Sequence, residues 1–208
     1  INTETLQKLN TVAYTNPITK LGNIDYFMDE TAKLFEEEPD GHYTLIAFNI
    51  QNIGKINQLF GPTEGDNVVL HAARSLRIVG QKDHHLFAQI YSNLFGMIVK
   101  EKSEEYILSQ ITELTNLLQD YSENFKVLSS FGIYRINNTA QPVMEMVNAC
   151  MLAQKFVKDP EECNYVFYSE ELEANFKQNK QMSQEMEEAL EQHKFLMYLQ
   201  PMVDLRTF

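Results

Sequence analysis

The sequence predicts a domain of mixed helix and strand built around its own hydrophobic core. Three observations carry that expectation. Helical and strand periods alternate along the chain with no internal repeat or low-complexity tract. Two short apolar runs, 86–91 and 95–99, flank Ser92-Asn93 as the arms of a hairpin flank its turn. Finally, 44% hydrophobic and 22% charged residues over 208 positions are globular values, at a length that buries a core without help from disulfides or metals.

The elements follow in order. Thr3 to Tyr14 has helical spacing (Leu6, Leu9, Val12, Ala13) and stops at Asn16-Pro17. Asn23 is placed to cap a second helix with Phe27, Ala32, Leu34 and Phe35 turned inward, ending at Pro39-Asp40-Gly41. His42 to Ile50 reads as a strand, and the unbroken run Leu45-Ile46-Ala47-Phe48 predicts burial on both its faces. Ile53 to Phe60 is a short helix stopped by Gly61-Pro62, and Glu64 to Val79 is a strongly apolar one (Val68, Val69, Ala72, Leu76, Val79). After the hairpin, Ser103 to Tyr121 is amphipathic, with Ile107, Ile111, Leu114 and Leu118 on one stripe. Val127 to Arg135 is a strand, Gln141-Pro142 opens a helix running through Val157, and Tyr165 to Tyr168 is a last short strand.

From Glu170 the composition changes. Residues 170–194 are rich in Gln and Glu and predict a helix whose apolar edge is Met182, Met186, Ala189 and Leu190. Phe195 to Leu199 then starts a strand. The expected organisation is a domain over 1–168, a helical linker over 169–194, and the opening of a second domain over 195–208. The chain begins at Ile1, not Met, and is expected to be cut from something longer, with a membrane anchor or sensor upstream compatible with that.

Lys+Arg 17 against Asp+Glu 29 gives a net charge of −12, which argues against a nucleic acid or an anionic membrane surface as partner. No apolar run approaches the ~20 residues of a membrane span. Cys150 and Cys163 show neither a CxxC spacing nor a nearby histidine pair and are expected to be reduced, buried thiols of a cytoplasmic protein. His84-His85 lacks a third ligand in sequence and is expected to be a surface pair. Ser129-Ser130 has no G-x-S-x-G elbow, and the glutamate runs at 36–38 and 185–188 are expected to be solvated helix faces.

Several ordered segments carry a family likeness. Asn16-Pro17-Ile18-Thr19-Lys20-Leu21-Gly22-Asn23 stands where the GGDEF family of diguanylate cyclases has D-x-L-T-G-L-x-N. Asn49-Ile50-Gln51-Asn52-Ile53, Ile56-Asn57-Gln58, Gly61 and Gly65-Asp66 overlay D-I-D-x-F, I-N-D, G-H and G-D at matching spacing. Tyr91-Ser92-Asn93-Leu94-Phe95 occupies the namesake turn, Ser130-Phe131-Gly132-Ile133 resembles S-I-G-I, and Val147-Asn148 through Lys155 resembles the A-D-x-A-L-x-x-A-K helix. The likeness spans about residues 3–168. It implies an α+β fold with a mainly antiparallel central sheet flanked by helices. The tail, Tyr198-Leu199-Gln200-Pro201-Met202-Val203-Asp204-Leu205, resembles the first strand of an EAL domain, the cyclic di-GMP phosphodiesterase fold.

The departures from the pattern concern chemistry. In the family, condensing two GTP molecules uses divalent cations held by an aspartate of the D-I-D strand and an acidic residue of the turn, and Mg2+ prefers carboxylate oxygens. Here those positions are Asn49, Asn93 and Leu94. Tyr91 and Ser92 replace the two glycines of the turn, Gly54 stands where the family carries a phosphate-binding lysine, and Asp159 lies near the expected place of an arginine. The family's product-inhibition motif, R-x-x-D, falls on Lys82 to His85 and is not reproduced. Asn57 and Asp66 match the positions that read guanine, and Lys155 matches a phosphate-contacting lysine. The resemblance therefore implies a catalytically inactive regulatory domain of a cyclic di-GMP signalling protein, with no cofactor expected and Mg2+ or Mn2+ relevant only to residual cyclase activity. Its expected partners are a downstream EAL domain in the same chain, a second copy in a homodimer, or GTP. The alternatives are a GTP-sensing module and a residual diguanylate cyclase.

Overall fold

In the computed structural model, the described residues are 13–192, except 101 and 102, together with 194 and 195. Six helices and five strands alternate: α1 (Ile24–Glu37), β1 (Tyr43–Ile50), α2 (Ile53–Phe60), α3 (Pro62–Lys82), β2 (Leu86–Tyr91), β3 (Leu94–Val99), α4 (Glu104–Gln119), β4 (Ser129–Ile136), α5 (Val143–Gln154), β5 (Tyr165–Phe167) and α6 (Glu170–Glu191). The chain divides into two compact units, the second starting at Ser169. The helix expected over 3–14 and the strand begun at Phe195 fall almost wholly outside the described residues.

The five strands of the first unit form one sheet in the order β2-β3-β1-β4-β5. Three of the four pairings are antiparallel and only β4 with β5 is parallel, so the unit is α+β with a mainly antiparallel sheet. β1 is central, and alternation sends its side chains to opposite layers. Ile46, Phe48 and Ile50 join the core under α3 and α4, whereas Tyr43, Leu45 and Ala47 join the core under α1 and α5. That double burial is why the run 45–48 carries no polar residue. Phe48 stacks between Phe95 of β3 and Phe131 of β4, with ring centroids 5.1 and 5.2 Å away. Gly132 lets α5 lie directly on β4, since a Cβ at that position would overlap the Cys150 carbonyl. Gln154 completes the docking by donating from Nε2 to the Ala47 carbonyl at 2.7 Å.

Capping sets several helix starts. The side chains of Asn23, Ser103 and Ser169 accept from the backbone N–H of Tyr26, Tyr106 and Leu172, satisfying donors that the first turn leaves unpaired.

Some expectations need correction. Ala32 is exposed and Thr31 takes the buried place beside it, because the helical stripe through Phe27 and Phe35 passes through position 31. Pro62 opens α3 instead of closing α2: proline suits a helix's first position, and Gly61, at φ +91°, makes the break. β4 starts at Ser129, not Val127: Ser129 pairs with Ile50, the last residue of β1, and the backbone bond from the Gln51 N–H to the Leu128 carbonyl at 2.8 Å lies past the end of the strand pairing. α5 runs from Val143 with Pro142 as its cap, and it ends at Gln154, short of Val157. Cys150 is buried as expected, and burial pushes its thiol pKa well up. Cys163 is exposed, because it lies on the loop that leads into β5.

Candidate functional site

The carboxyl end of β1 meets the β2–β3 turn and β4. Asn49, the penultimate residue of β1, pairs with Leu94 on one side and Ser130 on the other. Ser130 Oγ donates to Asn49 Oδ1 at 2.7 Å, and Gln51 Nε2 donates in turn to Ser130 Oγ at 2.5 Å. Asn93 faces back to the strand: its Nδ2 donates to the Ile50 carbonyl at 3.2 Å, and its own carbonyl accepts from the Ile50 N–H at 3.4 Å. Leu94 is 4% exposed and packs in the cluster that contains Phe27 and Ile90.

These three positions do not fit a divalent cation. Asn49 Oδ1 is a neutral oxygen already taken by a hydroxyl, the Asn93 amide points its donor at a carbonyl, and leucine offers no lone pair. Among the described residues no group of three or more His, Cys, Asp or Glu side chains is arranged to hold a metal ion. The turn's backbone is ordinary as well, with neither Tyr91 nor Ser92 at positive φ, and the Tyr91 side chain is 48% exposed.

One residue of this region escaped the sequence reading. Gln89, in the otherwise apolar β2, is 4% exposed; its Oε1 accepts from Thr19 Oγ1 at 2.5 Å and its Nε2 donates to the Ser92 carbonyl at 2.8 Å. It thus ties the 91–93 turn to the 16–22 turn. That second turn is held by Asn16 Oδ1, which accepts from the N–H groups of Ile18 and Thr19, and by Arg77, which donates to the Lys20 carbonyl at 3.2 Å. The signal available in sequence was a lone amide in the strand Leu86-Phe87-Ala88-Gln89-Ile90-Tyr91.

Asn57 reaches α3 at Gly65, the residue before Asp66. The Asn57 Oδ1 atom fills the space where a Cβ of residue 65 would stand, so the α2 amide lies against α3 immediately before Asp66. Asn57 and Asp66 are both exposed. Beside them Tyr121 donates to Glu64 Oε1 at 2.7 Å; burial first, and that carboxylate second, push the phenol pKa up to about 12. Lys155 belongs to a different element, the exposed C-cap of α5, one residue after the Gln154 amide that binds β1. Gly54 is exposed on α2 with open space where a side chain would be, and no cation stands at that position.

Lys82 to His85 is closed by internal partners. Lys82 pairs with Glu113 at 3.0 Å, and Tyr106 of α4 donates its hydroxyl proton to Asp83 at 2.8 Å. The Tyr106 oxygen is then the acceptor for His85 Nε2, 2.9 Å away, which fixes the proton on that nitrogen. The histidines are therefore not a surface pair. His84 is exposed at φ +54°, while the His85 side chain is 6% exposed and burial lowers its pKa, with Asp83 opposing. Next to them a cavity of about 730 Å³ is lined by Tyr14, Tyr26, Lys33, Arg77 and His85 among others.

The family profile described as diguanylate cyclase, GGDEF domain, matches residues 13–158. The chain belongs to the GGDEF family. Among solved structures, the coiled coil and GGDEF domain of DgcB from Caulobacter crescentus in complex with c-di-GMP matches with a TM-score of 0.68 and 18% identity, over 79% of this chain and 90% of that one. The S helix-GGDEF-EAL portion of LapD from Vibrio cholerae, bound to c-di-GMP, matches with a TM-score of 0.63 and 21% identity, over 80% of this chain and 39% of that one. A curated relative, the uncharacterised protein sll1895 of Synechocystis, is 21% identical over 97% of this chain; the chain spans 30% of that relative's length. At these identities the structural likeness establishes the fold. The GGDEF family is that of c-di-GMP signalling proteins, and no helix among the described residues is long and apolar enough to cross a membrane.

Proposed function

We propose that residues 1–168 are a catalytically inactive, regulatory GGDEF domain that modulates a downstream EAL phosphodiesterase domain of the same protein. The observation that carries it is the state of the three positions where the family's acidic ligands belong: Asn49 bonded to Ser130, Asn93 turned onto Ile50, and Leu94 sealed in the core. Condensation of two GTP molecules needs a 3′-hydroxyl made nucleophilic and the charge growing on the α-phosphate and the departing pyrophosphate neutralised. Neutral amides and a buried leucine supply neither a base nor a seat for the cations that would do this. The tail's likeness to an EAL strand, and the family's occurrence beside EAL in LapD, support the downstream partner. The test is made in the full-length protein. Deleting residues 1–168 should change its rate of cyclic di-GMP hydrolysis; an unchanged rate and unchanged oligomeric state would remove the regulatory role.

A second reading is favoured by one observation. Asn57 seated over Gly65, next to an exposed Asp66, presents an amide and a carboxylate that suit the donor and acceptor edge of guanine. In that reading GTP binds without turnover and biases the neighbouring domain. Calorimetry separates the readings: GTP heat without ATP heat favours sensing, and no GTP binding at millimolar concentration removes it.

A further inference from the structure

We propose that the cavity lined by the 16–22 turn, α1 and the start of β2 binds a small aromatic carboxylate that also carries a hydrogen-bond donor. The inference depends neither on the domain's inactivity nor on GTP binding. The cavity, of about 730 Å³, has Leu21, Tyr26 and Phe87 among its apolar and aromatic walls, and that volume suits a small molecule. Of the segment Lys82 to His85 only His85 lines it, and no residue of α4 does. It is therefore separate from the ion pair and hydrogen bond that close that segment onto Glu113 and Tyr106.

Charge selects a single anion. Three cations line the cavity, Lys20, Lys33 and Arg77, against two carboxylates, Asp29 and Glu30, which leaves one positive charge in excess. Both acids are engaged, since Tyr14 donates its hydroxyl proton to Asp29 at 2.6 Å and Lys33 pairs with Glu30 at 2.6 Å. Arg77 has no carboxylate partner among the described residues. Its Nη2 donates to the Lys20 and Thr19 carbonyls at 3.2 and 3.5 Å, and its other N–H groups have no acceptor there. A guanidinium presents a planar fork that matches a carboxylate. In a chain of net charge −12, one local excess charge favours a monoanion over a polyphosphate.

Lys20 separates a ligand site from a mere surface hollow. It stands where the D-x-L-T-G-L-x-N pattern has its glycine, and it holds φ +57°, the left-handed region that glycine adopts freely. A side chain is disfavoured there. The fold gains no ion pair from this one, because the Lys20 ammonium has no partner among the described residues. His85 then adds a donor to the description of the ligand. Its Nε2 proton is directed to Tyr106, so Nδ1 remains an acceptor without a partner among the described residues, on a side chain 6% exposed. An O–H or N–H on the ligand satisfies it.

The experiment uses the 208-residue chain, with para-hydroxyphenylacetate as the probe and amide correlation NMR as the readout. Millimolar probe should give saturable shifts at Lys20, Arg77 and His85 and leave Lys155 unmoved. Phenylacetate, which lacks the donor, should bind about threefold or more weaker, and benzylamine, the same ring on a cation, should not bind. Inorganic phosphate should not displace the probe. Arg77→Gln should weaken it about tenfold or more. Lys20→Gly should weaken it about threefold or more while Tm stays at or above the parent's, since glycine relieves the backbone at that position. Absence of saturable shifts, phenylacetate or benzylamine bound as tightly as the probe, displacement by phosphate, or a Lys20→Gly variant that binds as the parent does would overturn the proposal.

Discussion

At the scale of single residues, the proposed loss of cyclase activity rests on a few atoms. Asparagine is nearly the size of aspartate, and Asn49 keeps the oxygen at its place on β1 but loses the charge that would hold a cation there. The neighbours have accommodated the change, since the Ser130 hydroxyl, which could equally serve a carboxylate, now completes an uncharged chain from Gln51 to Asn49. The pair proposed to read guanine, Asn57 and Asp66, is different, because its amide and carboxylate are present and the place of Asn57 hangs on a glycine. Gly65→Ala places a methyl where Asn57 Oδ1 sits and must push the amide away. If GTP binds here, both Gly65→Ala and Asp66→Ala should weaken it by about tenfold or more, with ATP heats unchanged, in calorimetry. A Gly65→Ala variant that binds GTP as the parent does would show that Asn57 plays no part.

At the scale of elements, the helices and the hairpin were legible because each has a strong local signal: a cap at Asn23 and Ser103, a heptad-like stripe in α4, and an unbroken apolar run in β1. What was not legible depends on partners remote in sequence. The start of β4 is set by where β1 ends, the burial of Thr31 by the face α1 presents, and the role of Gln89 by two turns 70 and 3 residues away. The same limit applied to the histidine pair, since only α4 reveals that His85 lies under Tyr106. The identities proposed for the site, Asn49, Asn93, Leu94, Asn57 and Asp66, come from the family resemblance, whereas their bonding depends on partners that no motif names. Leu94 gives the sharpest consequence at this scale. Restoring the family's acidic residue by Leu94→Glu buries a carboxyl in the cluster with Phe27 and Ile90, and should cost about 2 kcal/mol or more. That corresponds to a fall of several degrees in Tm, whereas Leu94→Met should stay near the parent. Differential scanning calorimetry of the two variants decides whether the position has become core.

At the scale of the whole molecule, stability should follow the buried histidine. The His85 pKa is lowered in the folded state from the ordinary 6.5, so the unfolded chain binds the proton more readily. The stability is therefore complete above about pH 6.5 and is lost as pH falls through the lower folded value. Urea midpoints measured from pH 7.5 to 5.5 should decline, and His85→Gln should flatten that decline. The Lys100 contact holds the Glu38 pKa below its usual 4.5, and its effect is confined to a lower, separate window. The acidic balance of 29 carboxylates against 17 cations leaves the molecule unsuited to gathering polyphosphate by long-range attraction, so local groups must do what the net charge of −12 opposes. In the proposed reading, those groups are the ones replaced at Asn49, Asn93, Leu94 and Gly54. The most direct measurement is incubation of the chain with GTP and either Mg2+ or Mn2+, followed by chromatographic detection of product. No cyclic di-GMP should form above a protein-free control at any cation concentration; formation of cyclic di-GMP that scales with protein would contradict the proposed inactivity of the domain.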